Sequence, residues 1–416
     1  MMPDGHKVPH PMRVDQIRPE HLDDGALSLV VFGPGRGEAM VVLLPDGRVG
    51  VVDGCREPSS PDTGRGDPVR EFLSALEQRA GLRGEAFRIA FVCLTHPHDD
   101  HYAGLGRLLE AYRGRVDAVW SVPEVGDRYA EALRSFVEVT HAGREPLPDD
   151  VKIRGLKRVL AELVEAHERQ GSSFRHVAQG KRLLSTVIQS NVLELSACGP
   201  ADVDVKHAQF ALVEGLELLL TEGEHSARFD PNVTSGALLI RWGQAGMLLG
   251  GDLLCKQGRH LGWDEVCGDI HPPIQVIKVA HHASVEAHHE GLWRRLSVAL
   301  AIVTPFKDAK GTMPPRPEQI TKLAQDAVVA ITSVPAWPRR VGVPQAVYST
   351  PQISRSSRSI ASARNRVLSS MSPPPGEADT RNAVAVSLDA TGKLLRFVLA
   401  GRADVYEPPT PTGRGP

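Results

Sequence analysis

His96-Pro97-His98-Asp99-Asp100-His101 places four side chains able to bind metals within six residues, directly after the apolar run at residues 88–95. Imidazoles crowded in this way repel one another once protonated and contribute little as core. A divalent cation held by His96, His98, Asp100 and His101 is the use their chemistry suggests. Histidines merely solvated on a loop would need no such spacing, and the pattern is improbable as chance.

Other ligand types stand at the ends of apolar runs. Asp53 closes the run at 49–52, residues 247–249 lead into Gly250-Gly251-Asp252, and residues 274–280 lead into His281-His282-Ala283-Ser284. A polar residue that ends a β run sits at a sheet rim, where groups from several strands can converge. Taken singly, Asp252 reads better as a helix cap and His281 as a buried, hydrogen-bonded histidine. In this order behind the histidine cluster, they read as one constellation.

The H-x-H-x-D-H stretch and these strand-end residues resemble the metallo-β-lactamase superfamily. Its β-lactamase-like domain in bacterial competence (DNA-uptake) proteins is the branch most similar to the segments at 29–53, 232–235, 251–252, 278–284, 301–305 and 317–320. The resemblance implies an α/β fold, the four-layer αββα sandwich. It implies that His96 and His98 bind one metal, that Asp100 and His101 with His281 bind a second, and that Asp252 bridges the two. Zinc, one or two ions, is the expected cofactor, with manganese the alternative. A water between two such cations would give a hydroxide nucleophile, with Asp100 and Asp252 as the carboxylates on which catalysis depends. Asp53 is expected to orient a ligand histidine. Adjacent strand residues point to opposite faces, so only one of the histidine pair can be a ligand. His281 is taken as that one, leaving His282 and Ser284 to meet substrate. The chain departs from the branch at Ala283, where glycine is usual, and at Pro314 and Arg316, where histidines are frequent. Asn232 occupies the usual third-motif histidine position, so the ion at His96 and His98 is expected to be the weaker; His207 and His225 are alternative sources of that ligand.

The elements around these residues divide the 416-residue chain into a polar arm at 1–24, a metallo-β-lactamase-like domain at 25–340, a low-complexity linker at 341–380, and a terminal strand pair with tail at 381–416. Helical patterns are read at 69–79 and from Asp100 through Glu110. A mainly helical insertion at about 124–185 exceeds what the fold requires and is expected to set specificity. Hydrophobic residues make up 41% of the chain, enough for a large core. No run approaches a membrane span and residues 1–18 lack a signal-like apolar stretch, so a cytoplasmic enzyme without membrane contact is expected. The cysteines, Cys55, Cys93, Cys198, Cys255 and Cys267, lack C-x-x-C spacing and read as reduced structural thiols. A net charge of −2 gives no global pull toward nucleic acid. The basic groups at 152–158, Lys181-Arg182 and Arg339-Arg340 are candidates for a local patch, the first reading better as an amphipathic helix. Gly33-Pro34-Gly35-Arg36-Gly37 lacks the Lys and Ser/Thr of a phosphate-binding loop and reads as a tight turn.

Two functions from different classes fit this reading. One is a metal-dependent hydrolase of phosphodiesters, nucleic acids or nucleotides, with esters, lactones and thioesters as alternative substrates. The other is a non-catalytic, partner-regulated subunit on the same fold. Retention of Asp100, Asp252 and His281 favours the enzyme, because degenerate scaffolds commonly lose ligands.

Overall fold

The computed structural model describes residues 8–33, 37–55, 67–81, 86–122, 150–168, 170–208, 231–255, 261–306, 315–333, 347–348 and 381–407. Short apolar runs set the architecture. Leu27–Phe32 (β2), Val49–Val52 (β4), Leu300–Val303 (β13) and Ala383–Leu388 (β16) are buried at every position, as strands covered on both faces must be.

The first sheet runs Met12–Val14 (β1), Leu394–Ala400 (β17), β16, β2, Ala39–Leu43 (β3), β4, Ile89–Leu94 (β5), Ala118–Ser121 (β6), Ser173–His176 (β7). The second runs Val347–Tyr348 (β15), Asp404–Glu407 (β18), Val328–Ile331 (β14), β13, Val276–Lys278 (β12), Ala245–Leu249 (β11), Ala237–Trp242 (β10), Asn191–Gly199 (β9), Lys181–Ile188 (β8). Strands β4 to β7 are parallel, as are β11 to β14.

Alternation along the second sheet defines the layers. Met247, Leu249, Leu300 and Ile302 pack into one core with Leu29, Val41 and Phe91 of the first sheet. Their neighbours Leu248, Ala301 and Val303 enter a different core with Trp263, Leu292 and Ile320, from Trp263–Val266 (α5), Glu290–Arg295 (α6) and Pro317–Leu323 (α7). Successive strand residues point to opposite faces, so this sheet lies between the other sheet and a helical layer. The first sheet is backed likewise by Pro68–Arg79 (α1), Leu105–Ala111 (α3) and Asp150–Glu168 (α4), through Phe72, Leu108 and Leu163. The molecule is therefore the expected four-layer α/β sandwich.

Several expected boundaries differ from the structure. Residues 12–14 of the polar arm are β1, paired in parallel with β17, and Ile17 and Leu22 are buried. The expected helical insertion contains one described helix, α4, but Ser173–His176 and Lys181–Ile188 are strands; residues 123–149 lie outside the described residues. The terminal strand pair β16 and β17 is present and completes the first sheet. β16 pairs with β2, and β18 pairs with β14 in the other sheet, so the end of the chain stitches the two sheets together. The low-complexity segment lies mostly outside the described residues, as do Arg339-Arg340 and His225. The helix expected from Asp100 is broken into Asp99–Tyr102 (α2) and α3, where the Gly104 amide bonds the carbonyl of Gly54 instead.

Candidate metal centre

The parallel strands of both sheets aim their carboxyl ends at one place, where loops can converge on a ligand. Asp53 follows β4, His96 follows β5, Asp252 follows β11, the histidine pair follows β12 and Thr304 follows β13. The turn Pro231–Thr234, just before β10, contributes Asn232.

Two groups of ligand atoms meet on Asp252. In the first, His96 Nε2 lies 3.2 Å from His98 Nδ1 and 3.8 Å from Asp252 Oδ2. In the second, donor atoms of Asp100, His101, Asp252 and His282 lie within 4.8 Å of one another, all four residues buried. There His282 Nε2 is 3.2 Å from Asp100 Oδ2, and His101 Nε2 is 3.4 Å from Asp252 Oδ1.

His282 takes the place expected for His281. The expectation assumed that the pair extends a strand, but β12 ends at Lys278, and His281, His282 and Ala283 have φ of 46°, 52° and 58°. This left-handed turn costs L-residues roughly 1–2 kcal/mol each, and it cancels the strand's alternation. His281 is the more open residue, 25% exposed at its side chain, with Nε2 3.9 Å from Asp252 Oδ2. Its Nδ1 lies 2.9 Å from Ser284 Oγ, and its Nε2 3.3 Å from Asn232 Nδ2. Ala283, buried in this turn, keeps a left-handed φ without glycine. Of the other departures, Arg316 is exposed at the start of α7 and Pro314 lies outside the described residues. His207 is exposed.

Each buried imidazole has its non-ligand nitrogen fixed. His101 Nδ1 donates to Asp53 Oδ2 at 2.8 Å, and Asp53 is itself held by the amide and hydroxyl of Thr95. His96 Nδ1 faces Thr95 Oγ1 at 3.1 Å and Ser235 Oγ at 3.2 Å. Ser235 Oγ also accepts from the Asp252 amide at 2.8 Å, tying a ligand of one sheet to a ligand of the other. His282 Nδ1 donates to the Thr304 carbonyl at 2.8 Å. Such contacts select the tautomer that leaves Nε2 as the ligand atom.

The sequence assigned no role to Glu38, Lys278 or Thr304. Glu38 and Lys278 form an ion pair with no solvent exposure. The other oxygen of Glu38 accepts from Thr304 Oγ1 and lies 3.6 Å from His282 Nδ1. A lysine inside the apolar run at 274–280 was the available signal, because a charge on a covered strand requires a buried partner. Its partner directly follows Gly37. Gly37, at φ 101°, lies so close to Asp100 that a Cβ would stand 2.1 Å from its carbonyl oxygen, and the Glu38 amide bonds that oxygen. Gly37 and Glu38 thus clamp the backbone of the histidine motif.

The donor set fits divalent ions. His101 Nε2 and Asp252 Oδ1 are buried, face each other and have no hydrogen-bond partner. With the other nitrogen of His101 donating to Asp53, two lone pairs confront each other, so a cation belongs between them. Ligand bonds of roughly 2.0–2.2 Å in tetrahedral geometry separate such atoms by about 3.3–3.5 Å. Charges balance the same way. Burial disfavours the Asp252 carboxylate, yet His101, His282 and His96 hold it well below the usual range. Burial likewise opposes His101, but Asp252, Asp100 and Asp53 raise its pKa well above the ordinary value, so a proton occupies the site when no metal does. Burial and neighbouring His101 push His96 well below the usual histidine range, leaving it a neutral ligand.

Strand-end carboxylates and imidazoles converging between two helix-backed sheets define a metallo-hydrolase sandwich. The sequence model described as the Metallo-beta-lactamase superfamily matches residues 62–290, more than half of the chain, which belongs to that superfamily. Among solved structures, a mutant of the CmlA beta-hydroxylase is 15% identical at a TM-score of 0.35, the match covering 67% of this chain and 45% of that one. Zn(2+)-bound PqqB from Methylobacterium extorquens is 12% identical at 0.33, covering 66% and 88%. The short form of human tRNase Z is 12% identical at 0.30, covering 72% and 91%. No curated protein sequence matches the chain. Among the described residues no helix is long and apolar enough to cross a membrane.

Proposed function

We propose that this metallo-hydrolase uses two divalent ions, zinc or manganese, to cleave phosphodiesters of the nucleic-acid or nucleotide type. The observation that carries the reading is the pair of ligand groups sharing Asp252. Ions bound there would supply Lewis acidity and an activated water. His96 and His98 would hold one, and Asp100, His101 and His282 the other.

Charge supports the substrate class. With neutral histidines, Asp53, Asp100 and Asp252 contribute −3, while Glu38 and Lys278 cancel. Two divalent ions add +4, giving +1 before the activated water loses its proton and 0 after, whereas a single ion leaves −1 or less; only the two-ion centre escapes net repulsion of an anionic phosphodiester. Lower occupancy would favour neutral esters, lactones or thioesters. On the open side, half-buried His98, His281 and Ser284 are the groups able to meet substrate oxygens. The resemblance to the DNA-uptake branch supports the same class, and the reading places the protein in the cytoplasm, in keeping with five free cysteines.

The test is hydrolysis of bis(p-nitrophenyl) phosphate, single-stranded DNA, RNA and p-nitrophenyl acetate at defined zinc and manganese loading. Phosphodiester turnover that requires the second ion and disappears in Asp100→Ala and Asp252→Ala is expected. Turnover of the acetate alone would overturn the substrate class. No turnover by fully loaded protein would favour the partner-regulated subunit.

A further inference from the structure

Phe32, Phe72, Phe87, Phe91 and Phe397 are buried in the main core. Phe306 is left half-exposed, although it lies against a residue of the centre. The end of β13 fixes its place. Thr304 accepts from His282 Nδ1 through its carbonyl and donates to Glu38 through its hydroxyl, and Phe306 stands two residues further on. Its ring stacks on the His282 imidazole, with centroids 5.1 Å apart and planes 19° from parallel. His282 itself is 1% exposed. The phenyl ring therefore reaches from the buried imidazole to solvent and forms part of the wall at the mouth of the centre. A ring that served only to cover His282 would gain by being buried itself, whereas one left partly in water offers a flat apolar face to whatever enters.

The rest of this mouth is held in place. The His281 amide bonds the Gly251 carbonyl and the Ser284 amide bonds the His281 carbonyl, so the left-handed turn is tied to the Asp252 loop. Beyond Ser284 the chain exposes Val285. Groups able to meet substrate oxygens, His98, His281 and Ser284, thus adjoin apolar surface. Lys278, the buried cation near His282, is paired with Glu38 and is not available to a phosphate. Beyond the scissile phosphate, flat apolar contact is what the Phe306 wall offers. The planar group that a phosphodiester of the proposed class carries is a nucleobase, and every base presents a π face whatever the sequence. Inside a duplex those faces are occupied by neighbouring pairs, so a base that stacks on a side chain is unpaired.

We infer that Phe306 is a stacking platform for an unpaired base beside the scissile phosphodiester, so that the substrate is single-stranded nucleic acid or a nucleotide ester rather than duplex. Phe306 is then a specificity-determining residue that holds substrate and binds neither metal nor proton. The inference rests on the phosphodiester reading of the centre and adds the strand state that this reading leaves open.

The experiment is calorimetric binding of thymidine 5′-monophosphate and of methyl phosphate, which lacks the base, to zinc-loaded full-length chain. Metal analysis and circular dichroism accompany each preparation. Wild type should bind the nucleotide about 5–150-fold more tightly than methyl phosphate, the range expected for stacking one base. Phe306→Ala and Phe306→Leu should erase this preference while leaving methyl phosphate affinity and zinc content unchanged, and Phe306→Tyr should keep it. Leucine is the decisive variant, because it can still cover His282 but has no π face. Wild type should also bind a single-stranded oligonucleotide more tightly than its duplex. On thymidine 5′-(p-nitrophenyl) phosphate, Phe306→Leu should raise KM with kcat nearly unchanged, as loss of uniform substrate binding requires. Equal weakening of both ligands in Phe306→Leu, or loss of its zinc, would overturn the platform and leave Phe306 as a cover for His282. So would a wild type that binds methyl phosphate as tightly as the nucleotide. Loaded wild type that binds neither ligand would instead overturn the phosphodiester reading, and the inference with it.

Discussion

Lys278 and Glu38 are 240 positions apart, yet their fully buried ion pair braces the metal centre from behind. Removing one partner leaves the other charge without its counter-ion, and for buried pairs that costs about 3–5 kcal/mol. Lys278→Met should lose that much, and Glu38→Gln a similar amount. The double variant should return to within about 1–2 kcal/mol of wild type, because removing both charges also removes both desolvation penalties. A loss of that size is a large share of the roughly 5–15 kcal/mol that stabilises a typical domain. The assay is guanidinium unfolding followed by tryptophan fluorescence, with Trp120 and Trp242 among the largest fully buried side chains. Chelator should be present throughout, because a bound ion would add its own stabilisation. Glu38→Gln should also weaken metal binding by about 10–100-fold, since the carboxylate lies 3.6 Å from His282 Nδ1 and accepts from Thr304. Single variants that each lose under about 1 kcal/mol, or a double variant that loses the sum of both, would refute mutual compensation as the role of the pair.

Metal affinity should rise with pH, because His101 binds its proton more tightly in the folded, metal-free site than in free peptide and must release it to coordinate. That raised pKa stabilises the metal-free protein fully below about pH 6.5, the unfolded value, and the contribution is lost as pH rises through the folded pKa. Melting of the chelated protein should therefore fall on the alkaline side while the zinc-loaded form holds; parallel profiles would contradict it. Asp67 caps α1 in a buried position, and burial raises its pKa to about 6. Its ionisation consequently costs stability as pH rises from about 4 to 6. Asp67→Asn, which keeps the cap, should gain up to about 3 kcal/mol at neutral pH and flatten that slope, as chemical denaturation at a series of pH values would measure. Ser235→Ala removes the contact to His96 and the acceptor for the Asp252 amide, and zinc competition should show about a 10–100-fold weaker centre with secondary structure intact.

The chemistry of the centre was legible where it is local. The spacing of His96, His98, Asp100 and His101 is a property of six consecutive residues, and Asp53 and Asp252 announce themselves as acids ending apolar runs. The strands were equally legible, because burial on both faces demands unbroken runs such as those of β2 and β13. What the chain could not reveal by itself depends on distant approach. Which histidine of the pair joins Asp100 was decided by the left-handed turn that begins after β12, a conformation imposed by the neighbouring Asp252 loop rather than by the propensities of His281 and His282. The partners of Lys278 and His282, and the tie from Ser235 to both His96 and Asp252, exist only because two sheets face each other. The polar residues before β2 gave no hint that Ile17 and Leu22 would find a core, since β1 is held there by β17 and the turn that follows it packs against α1. Local pattern determines which side chains can bind a cation. Only the packing of the two sheets decides which atoms meet and which nitrogen of each ring is left to bind.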